Sequence, residues 1–535
     1  MKSFLSKFRS QVMGVLSGFD RLVFRGVIRG IMDERGMAGF LYGKNVLLKD
    51  FGDYVEATTK GVIARSLESA RTLGREVRYL ESSRMRKEDV AREIGERDGI
   101  HEGLICVLAC VEPSLTFQLF RNRETQRLEL RLREGKCKHL YHYFQHPQFG
   151  FMHARLQTWF PFGIQVCLNG REWLRRGLVQ RGLRFRRYDN TFTSVEDLST
   201  AQHLLSSQLE VAWPSLLDEL VLHIHPLHRS LFPAGGLSML DYYWSVHQSE
   251  WATDVMFRDR AALQSIYDRL VRFSIASHSY VDVLRFLGRR VNRDGSLRRD
   301  FNGEVVSDVR ERPEGVRIKH RINQNSVKMY DKGSVLRFET TINNPRDFKV
   351  YRAKEGGPAD ELDWRELRKG VADLARRAHI SQASNERFMD ATAATAEHTT
   401  LRELIEPLCR RVTSAARKRP NGTRTQPRRH RALNPHSRED RQLLHLISQE
   451  EFVIAGFRNK DLRLALYGTE SCTSAELRRR SASVTRKLSL LRAHKLIRRV
   501  PRSHRYQLTT QGRRALTALL AASSTSVENL VTCAP

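Results

Sequence analysis

The sequence predicts an α+β fold in which a large mixed N-terminal module precedes a smaller C-terminal domain. Apolar and polar residues alternate strictly in short runs such as Leu128–Leu132, which is the period of a strand with one buried face. Patterns of polar-faced helices accompany these runs, for example over residues 65–80 and 87–97. Because both patterns occur within the first 150 residues, we expect a module that mixes sheet and helix.

The C-terminal region, residues 473–522, has the element order of a winged helix-turn-helix. Thr473 and Glu476 form a capping box for a short helix. A Ser-Ala-Ser turn then leads into a second helix with a buried apolar stripe and a basic outer face. Two strand-like runs, 496–500 and 505–509, form a hairpin with a basic tip, and a third helix follows.

A helix with a buried stripe and a cationic outer face can lie in the major groove of DNA. The basic side chains of the second helix and the hairpin are therefore the nucleic-acid-binding candidates. They are Arg486, Lys487, Arg492, Arg498, Arg502, His504 and Arg505.

Positive charge is concentrated in the last quarter of the chain. The 535 residues carry a net charge of +31. Residues 407–438 hold ten Lys and Arg and no acid, and residues 476–514 hold 13 against a single Glu. Such a surface attracts a polyanion, and we expect double-stranded DNA as the partner. A winged helix that docks on protein is the alternative for this region.

Four segments follow from these patterns. Residues 1–405 form the α+β module, with a subdomain break considered near 190–215. Residues 406–437, rich in Arg, Pro and Gly, form a basic flexible linker. Residues 438–522 form the winged helix-turn-helix, and residues 523–535 a disordered tail.

The compartment is expected to be cytoplasmic. The seven cysteines are scattered, and several lie in apolar runs, which is typical of reduced thiols. No run reaches the roughly 18 apolar residues of a membrane span, and the N-terminus lacks a secretion signal. We therefore expect no membrane partner, and a homodimer is considered as the assembly.

Residues 325–342 predict a β-hairpin that turns at Lys332-Gly333. In this register Lys328 lies directly opposite Arg337, on a polar face that also carries Tyr330. Two opposed cations repel each other, so an anion is expected between them. Either Glu339 or a nucleic-acid phosphate can supply it, which makes Lys328 and Arg337 binding candidates.

Three resemblances accompany these patterns. The layout of the C-terminal domain resembles the MarR-type winged-helix regulators. One sequence motif resembles rolling-circle replication initiators of plasmids and filamentous phages. It is Lys328-Met329-Tyr330-Asp331-Lys332-Gly333, followed by Leu336-Arg337-Phe338-Glu339. The chain as a whole looks like an uncharacterised bacterial family that is labelled as regulators or as transposase-like proteins.

The resemblance to replication initiators implies a metal held by a His-hydrophobic-His triplet, and His223-Ile224-His225 is such a triplet. The two imidazoles point the same way only if the triplet lies on a strand. Its surroundings, which end at Pro226, favour a helix instead.

Carboxylates are the other metal candidates. Glu250 and Asp254 lie at helical spacing with His247, and this helix face either binds a divalent cation or pairs with Arg258. The remaining carboxylate candidates are Asp20 and Glu112.

The favoured function is a DNA-binding protein of the mobile-genetic-element type, transposase-like or replication-initiator-like. The winged helix would select the site, and the large module would handle the nucleic acid. A non-enzymatic transcriptional regulator and an RNA-binding protein are the alternatives. The enzyme hypothesis is a metal-dependent DNA nuclease or strand transferase, and the sequence leaves open whether any bond is cut.

Two catalytic schemes fit that hypothesis. In one, Tyr330 attacks a phosphate as nucleophile beside a metal at His223 and His225, and neighbouring cations lower the pKa of its phenol. In the other, Mg²⁺ or Mn²⁺ is held by Asp20, Glu112, Glu250 and Asp254 and activates water.

Overall fold

The computed structural model describes residues 1–232, 238–289, 291, 303–312, 315–354, 356–358, 360–393, 401–414, 426, 428–468, 473–500 and 503–524. The chain forms two compact units. The first, called the sheet unit, comprises residues 1–275 and 280–393. The second, called the C-terminal unit, comprises residues 276–279 and 394–535. The α+β class is confirmed, with a large mixed sheet as its centre.

The strands of the sheet unit are β1 (Val12–Ile28), β2 (Glu76–Tyr79), β3 (Gly103–Arg121), β4 (Leu128–His146), β5 (Gly150–Gln157), β6 (Ile164–Asn169), β7 (Phe185–Tyr188), β8 (Thr191–Val195), β9 (Tyr242–Phe257), β10 (Val305–Arg312), β11 (Gly315–Ile322), β12 (Asn325–Asp331), β13 (Val335–Ile342), β14 (Lys349–Ala353) and β15 (Leu362–Glu366). Its helices are α1 (Lys2–Lys7), α2 (Glu34–Gly43), α3 (Phe51–Thr72), α4 (Lys87–Arg97), α5 (Gly170–Gln180), α6 (Leu198–Ser207), α7 (Trp213–Ile224), α8 (His228–Leu231), α9 (Arg260–Ser277), α10 (Tyr280–Phe286) and α11 (Leu374–Ala393).

Eleven strands form one sheet in the order β10-β11-β12-β13-β9-β1-β6-β5-β4-β3-β2. Neighbouring strands are antiparallel, except that β2 and β3 are parallel. The long central strands β1 and β9 have 17 and 16 residues. Each has a partner on both edges, so this part of the sheet offers no free strand edge.

Helices cover both faces of the central strands. On one face α5 and α6 pack leucines, such as Leu174 and Leu205, against Leu16 of β1 and Met256 of β9. On the other face α11 lies against β9 and β13, where Phe388 meets the Phe338 ring edge to face at 5.5 Å. On the face that α5 covers, charged side chains lie beside these apolar contacts.

The expectation of a helix around residues 247–254 was wrong, because these residues belong to strand β9. The i, i+3, i+7 spacing that favoured a helix coexists with a strand pattern, in which Glu250 and Asp254 share a face through an even separation. Aromatic residues such as Trp244 and Trp251 suit a strand that is buried on both faces. Arg258 pairs with Asp259 at 3.3 Å, so its predicted partnership with Asp254 is also corrected.

The hairpin of β12 and β13 was predicted correctly in its existence and in its faces, but its register was wrong by two residues. Lys328 lies opposite Glu339, and Tyr330 lies opposite Arg337. The reason is the turn, because the last strand pair is Asp331 with Leu336 and the loop is longer than two residues. Since side chains alternate with a period of two, a shift of two residues leaves every side chain on its predicted face.

The C-terminal unit contains ten elements that the structure describes. Its helices are α12 (Leu401–Ile405), α13 (Arg438–Ile447), α14 (Glu450–Ala455), α15 (Asn459–Tyr467), α16 (Ser474–Ala493) and α17 (Thr510–Ser524). Its strands are β16 (Val412–Ser414), β17 (Arg428–His430), β18 (Ile497–Arg499) and β19 (Tyr506–Leu508).

Two expectations about segments are corrected. Residues 474–493 form one continuous helix, with the predicted cap at Thr473, and not two helices joined by a turn. The ends of the predicted linker are folded, because Leu408 and Leu433 are buried in the core of the C-terminal unit. Residues 190–215, where a subdomain break was considered, lie inside the sheet unit. Residues 415–425 of the linker and 525–535 of the tail lie outside the described residues.

Among the helices that the structure describes, none combines the length and the apolar composition needed to cross a bilayer.

Gly170, the first residue of α5, sets how closely this helix approaches β1. A Cβ placed on Gly170 would lie 2.3 Å from the carbonyl oxygen of Phe19, which is a backbone atom. We expect Gly170→Ala to lower the free energy of unfolding by about 1–3 kcal/mol, because the backbone must shift. Urea unfolding followed by circular dichroism measures this change.

Gly52→Ala is the matched control, because a Cβ on this exposed helical glycine meets no atom within 4 Å. It should be neutral or stabilising, since alanine favours a helix by roughly 0.5–1 kcal/mol over glycine. Equal stability of the Gly170 variant and the wild type would contradict the close approach.

Candidate functional site

Four adjacent strands, β12, β13, β9 and β1, carry charged side chains on the face that α5 covers. The group is called the ionic cluster, and its members converge from distant parts of the sequence. It consists of Asp20, Arg171, Glu250, Asp254, Lys328, Tyr330, Arg337 and Glu339. The strand register explains the convergence, since Glu339 is paired with Lys328 on one side and with Ala252, between Glu250 and Asp254, on the other.

Asp254 and Arg337 form a buried bidentate ion pair at the centre of the cluster. Arg337 donates from Nε to Asp254 Oδ1 at 2.6 Å and from Nη2 to Oδ2 at 2.9 Å. Arg171 from α5 approaches the same carboxylate, with Nη2 3.2 Å from Oδ2. Both oxygens of Asp254 therefore already have cationic partners. The structure places this residue in an ion pair, and its catalytic or metal-binding role stays a prediction.

Asp20 lies at an irregularity in β1, where the pairing with β9 shifts between Phe19 and Arg21. Its Oδ1 accepts hydrogen bonds from Asn190 Nδ2 at 2.8 Å and from Arg337 Nη1 at 3.1 Å. A bulge of this kind redirects a side chain, and here it turns Asp20 towards the cluster. Burial raises the pKa of Asp20, and the arginines only partly oppose it.

Glu339 is the most enclosed acid beside Asp254. It accepts a hydrogen bond from the Tyr330 hydroxyl, and Lys328 Nζ lies 2.5 Å from its Oε1. Burial alone would raise the pKa of Glu339, but Lys328 and Tyr330 outweigh burial and lower it to about 2. This carboxylate is therefore ionised at every physiological pH.

Tyr330 does not have the lowered phenol pKa that the sequence suggested. Burial and the neighbouring Glu339 raise its pKa well above the ordinary value, although Arg337 acts in the opposite direction. The side chain is 7% exposed. Tyr330 is thus a protonated donor to Glu339 in this structure.

Of the four acids in the cluster, Glu250 lies farthest from its cationic partner. Its nearest cation is Lys328, whose Nζ lies 3.5 Å from Oε1. Burial, and then repulsion by Glu339, raise the pKa of Glu250 from its ordinary 4.5 to about 7. Near neutral pH this carboxyl therefore exchanges a proton readily.

Asp20, Glu250 and Glu339 can each offer a carboxylate oxygen such that all three oxygens lie within 4.8 Å of one another. Hard oxygen donors at this spacing suit Mg²⁺ or Mn²⁺. Lys328 occupies the side between Glu339 and Glu250, so a cation would enter from the side of Asp20. The four acids of the cluster face three cations, which leaves one negative charge for a metal or a proton to balance.

A cleft of about 250 Å³ gives access to this side of the cluster, and Asp20 and Glu250 line it. Arg21 and Arg92 line the same cleft, and both are exposed. Arginine binds phosphate oxygens in a bidentate manner. The cleft therefore combines acids that can hold a cation with arginines that can hold a phosphodiester.

Glu112 does not join this group. It accepts a hydrogen bond from the Tyr141 hydroxyl at 2.8 Å and pairs with Lys87 at 3.0 Å and Arg155 at 3.4 Å. It lies on β3, four strands from Asp20 on β1, which is about 19 Å at the usual strand spacing. A metal site shared by Asp20 and Glu112 is therefore excluded.

His223 and His225 lie at the end of helix α7 and not on a strand. His223 is exposed, whereas His225 is buried with its Nδ1 3.0 Å from the Tyr242 hydroxyl. Burial lowers the pKa of His225 to about 3. The two imidazoles lie in different environments, so the predicted histidine pair for a metal is corrected.

The candidates in the C-terminal unit lie on two elements. Arg486 is exposed on α16, whereas Lys487 is held by Glu439 of α13. Both lie past the middle of the helix, so their predicted position near its start is corrected. Of the others, Arg492, Arg498, His504 and Arg505 lie on α16 or around the β18–β19 hairpin, and Arg502 lies outside the described residues.

Two groups of residues were not predicted from the sequence. Arg171 and Asn190 were overlooked, because each reaches the cluster from a helix or turn far away in the sequence. Arg478 and Arg479, in the first turns of α16, are also exposed. The sequence predicted a separate short helix for these two residues, whereas the structure makes them the first part of α16.

The raised pKa of Glu250 predicts a pH-dependent stability. The folded protein binds a proton on Glu250 between pH 4.5 and 7, where the unfolded chain does not. Stability is therefore lost as pH rises through this window, by on the order of 3 kcal/mol in full. Removing the charge with Glu250→Gln should remove that part of the loss. Thermal unfolding in EDTA between pH 5 and pH 8 measures the difference.

The same thermal unfolding experiment is then repeated with Mn²⁺. At pH 8 the ion should raise the unfolding temperature of the wild type and leave that of Glu250→Gln nearly unchanged. Glu56→Gln is the control, because Glu56 lies exposed on α3 in a surface pair with Lys60. An identical pH dependence in wild type and Glu250→Gln would show that Glu250 is an ordinary carboxyl.

The chain matches no protein-family model, no curated protein and no solved structure.

Proposed function

We propose that the protein is a DNA-binding, divalent-cation-dependent phosphodiesterase of the mobile-genetic-element type. One observation carries the proposal: Asp20, Glu250 and Glu339 converge within 4.8 Å beside a cleft that exposed arginines also line. Acids placed together in this way are costly to fold, and such groupings concentrate at functional sites. Mg²⁺ or Mn²⁺ would be the cofactor.

A divalent cation bound by these acids would polarise a phosphoryl oxygen and activate water. The other residues of the cluster prepare the acids for this task. Lys328 and Tyr330 keep Glu339 ionised, and the bond from Arg337 fixes one oxygen of Asp20. Arg21 and Arg92 would hold the phosphodiester in the cleft.

Water is the nucleophile in this proposal, and Tyr330 is not. The phenol is buried, protonated and committed to Glu339 as a hydrogen-bond donor. Attack by tyrosine would need the side chain to leave Glu339 and to lose its proton in a site with a surplus of negative charge. The raised pKa disfavours that ionisation.

Duplex recognition is assigned to the C-terminal unit, read as a winged helix. Its order of elements supports this: α13, α15 and α16 precede the β18–β19 hairpin, and α17 follows. Phe457 forms an isolated antiparallel bridge with Tyr506 of β19, so the chain before α15 lies beside the hairpin, which would be the wing. Asn459 of α15 donates to Thr485 of α16, and this contact ties the two helices together. In this reading α16 is the helix that enters the major groove.

The regulator hypothesis is the competing one, since a buried ionic cluster can also serve only to hold strands together. In that case the winged helix would bind DNA and the cleft would cut nothing. Both hypotheses predict DNA binding, and only the phosphodiesterase hypothesis predicts DNA cleavage.

The cleavage prediction concerns the full-length protein, labelled DNA and Mn²⁺. Asp20→Asn and Glu250→Gln should each lower the cleavage rate by at least about a hundredfold, because each removes a charged oxygen ligand. Tyr330→Phe should retain part of the activity, because phenylalanine removes only the donor to Glu339. Denaturing gels resolve nicked DNA and any covalent protein adduct.

Glu56→Gln should cleave like the wild type. A covalent adduct that disappears in Tyr330→Phe would contradict water as the nucleophile. Intact DNA across duplex, single-stranded and branched substrates, with Mg²⁺ and with Mn²⁺, would favour the regulator.

The recognition prediction compares two neighbouring basic residues on α16. Arg486→Ala should cost about 1–3 kcal/mol in binding free energy at a preferred site, because Arg486 is exposed and able to reach a base edge. Lys487→Ala should cost less, because the Lys487 side chain is 13% exposed and paired with Glu439. Fluorescence anisotropy with a selected duplex and with random DNA measures both. An equal loss of binding free energy on the two DNAs for Arg486→Ala would show that Arg486 contacts a phosphate and not a base.

A further inference from the structure

A second recess of the sheet unit lies between the β14–β15 hairpin and helix α11, and it is called the aromatic groove. Its volume is about 630 Å³. The hairpin contributes Lys349, Tyr351 and Trp364 to its lining, and α11 contributes Arg376, His379 and Arg387. The floor is apolar, since Phe348 and Val350 are buried, and the rim is aromatic and basic.

Two large aromatic rings stand side by side on the hairpin. Tyr351 of β14 is directly paired with Trp364 of β15, and their ring centroids lie 5.7 Å apart at an angle of 53°. The two residues are 56% and 52% exposed. Aromatic surface that is exposed to this extent costs hydrophobic free energy, part of which a ligand stacked on it would recover.

The basic residues of the groove come from both of its walls. Lys349 lies on the hairpin, while Arg376, His379 and Arg387 form a stripe along α11. The lining contains no acid. Arg387 donates to the carbonyl oxygen of Phe286 and to the Ser384 hydroxyl, which are both neutral partners.

Arg376 shares its anion with another cation. Its Nη1 lies 2.7 Å from Asp373 Oδ1, and the same carboxylate accepts from Arg368 Nε at 3.1 Å. The Asp373 carboxylate therefore pairs with both arginines. The groove combines exposed aromatic side chains with basic side chains, in a lining that contains no acid.

The groove is separate from the acidic cleft. Helix α11 packs on the face of the sheet opposite the ionic cluster, because Asn385 bonds to Thr340 and Gln382 bonds to Trp251. The residues next to these in the chain, such as Glu339 and Glu250, point to the other face by strand alternation. A ligand in the groove is therefore not the scissile phosphodiester of the cleft.

We propose that the aromatic groove binds unpaired bases of single-stranded nucleic acid, with the bases stacked on Tyr351 and Trp364 and the phosphates near Lys349, Arg376 and Arg387. Aromatic stacking with a basic track is the chemistry that recognises unpaired strands without reading their sequence. The inference rests on the proposed function only in taking nucleic acid as the partner. It deepens that function by adding a site that holds a displaced or single strand apart from the cleft.

Binding of a strand in the groove can be followed through the fluorescence of Trp364. The other tryptophans of the chain are buried or half-buried, so Trp364 is the one best placed for contact with a base. The full-length protein in EDTA, where no cation-dependent cleavage occurs, is titrated with oligothymidylates of one to twelve nucleotides. We expect quenching of tryptophan emission, and affinity that rises with length over the first several nucleotides.

Variants then test the contact. Trp364→Ala and Tyr351→Ala should each weaken binding of a twelve-nucleotide strand by about tenfold, in line with the stacking of one base. Trp364→Phe should keep most of the affinity, measured by anisotropy of a labelled strand, while the quenching disappears. Lys349→Gln should reduce the salt dependence of binding. Tyr42→Ala is the matched control, since Tyr42 is 85% exposed on α2, outside the groove.

Two results overturn the proposal. Strand binding that is unchanged in both alanine variants would place the bases elsewhere. Thymidine monophosphate binding as tightly as the twelve-nucleotide strand would make the groove a pocket for a free nucleotide. Cleavage is not read out in this experiment, so a failure here is distinct from a failure of the phosphodiesterase. Folding of each variant is checked by circular dichroism.

Discussion

The ion pair between Asp254 and Arg337 is the interaction on which the candidate site depends. Removing one partner of a fully buried pair typically costs 3–5 kcal/mol, because the other charge is left without compensation. Here Arg337 does more than neutralise Asp254. It also donates to Asp20 and to the backbone carbonyl of Asn190, and so it connects β13, β9, β1 and the turn between β7 and β8. The spacing of Asp20 from the acids on β9 and β13 is therefore set by a residue that would not itself touch a substrate.

That arrangement carries an electrostatic cost which a purely structural network would avoid. Lys328 serves Glu339 and Glu250 together, and its distances of 2.5 and 3.5 Å show that Glu339 has the larger share. Lys328 and the Tyr330 hydroxyl hold the pKa of Glu339 at about 2. Burial, and then repulsion by Glu339, raise the pKa of Glu250 to about 7, and Lys328 opposes this rise only in part. The two glutamates on neighbouring strands thus differ in proton affinity because Glu339 has the closer cation and the tyrosine donor. Natural proteins keep such unfavourable groupings mainly where function requires them.

The sequence indicated some of this site through local patterns and missed the parts that depend on tertiary structure. The polar face of Lys328, Tyr330, Arg337 and Glu339 follows from strand alternation alone, and a register error of two residues left that face intact. Glu250 and Asp254 were predicted to share one face, as they do, but on the wrong element. Their spacing fits both a helix and a strand, and pairing with β1 and β13 decided in favour of the strand. The partners that fix their roles, Arg171 and Asn190, have no local signal.

Tyr330 shows how burial changes the meaning of a motif. From sequence, a tyrosine between two cations suggests an activated nucleophile. In the fold Arg337 is turned towards Asp254 and Asp20, Lys328 is turned towards Glu339, and the phenol is left with a carboxylate as its partner. A phenol that donates to a carboxylate in a buried site stabilises the ionised acid and is itself harder to ionise. The effect of Tyr330 is therefore exerted through Glu339, whose pKa of about 2 keeps this carboxylate ionised at any physiological pH.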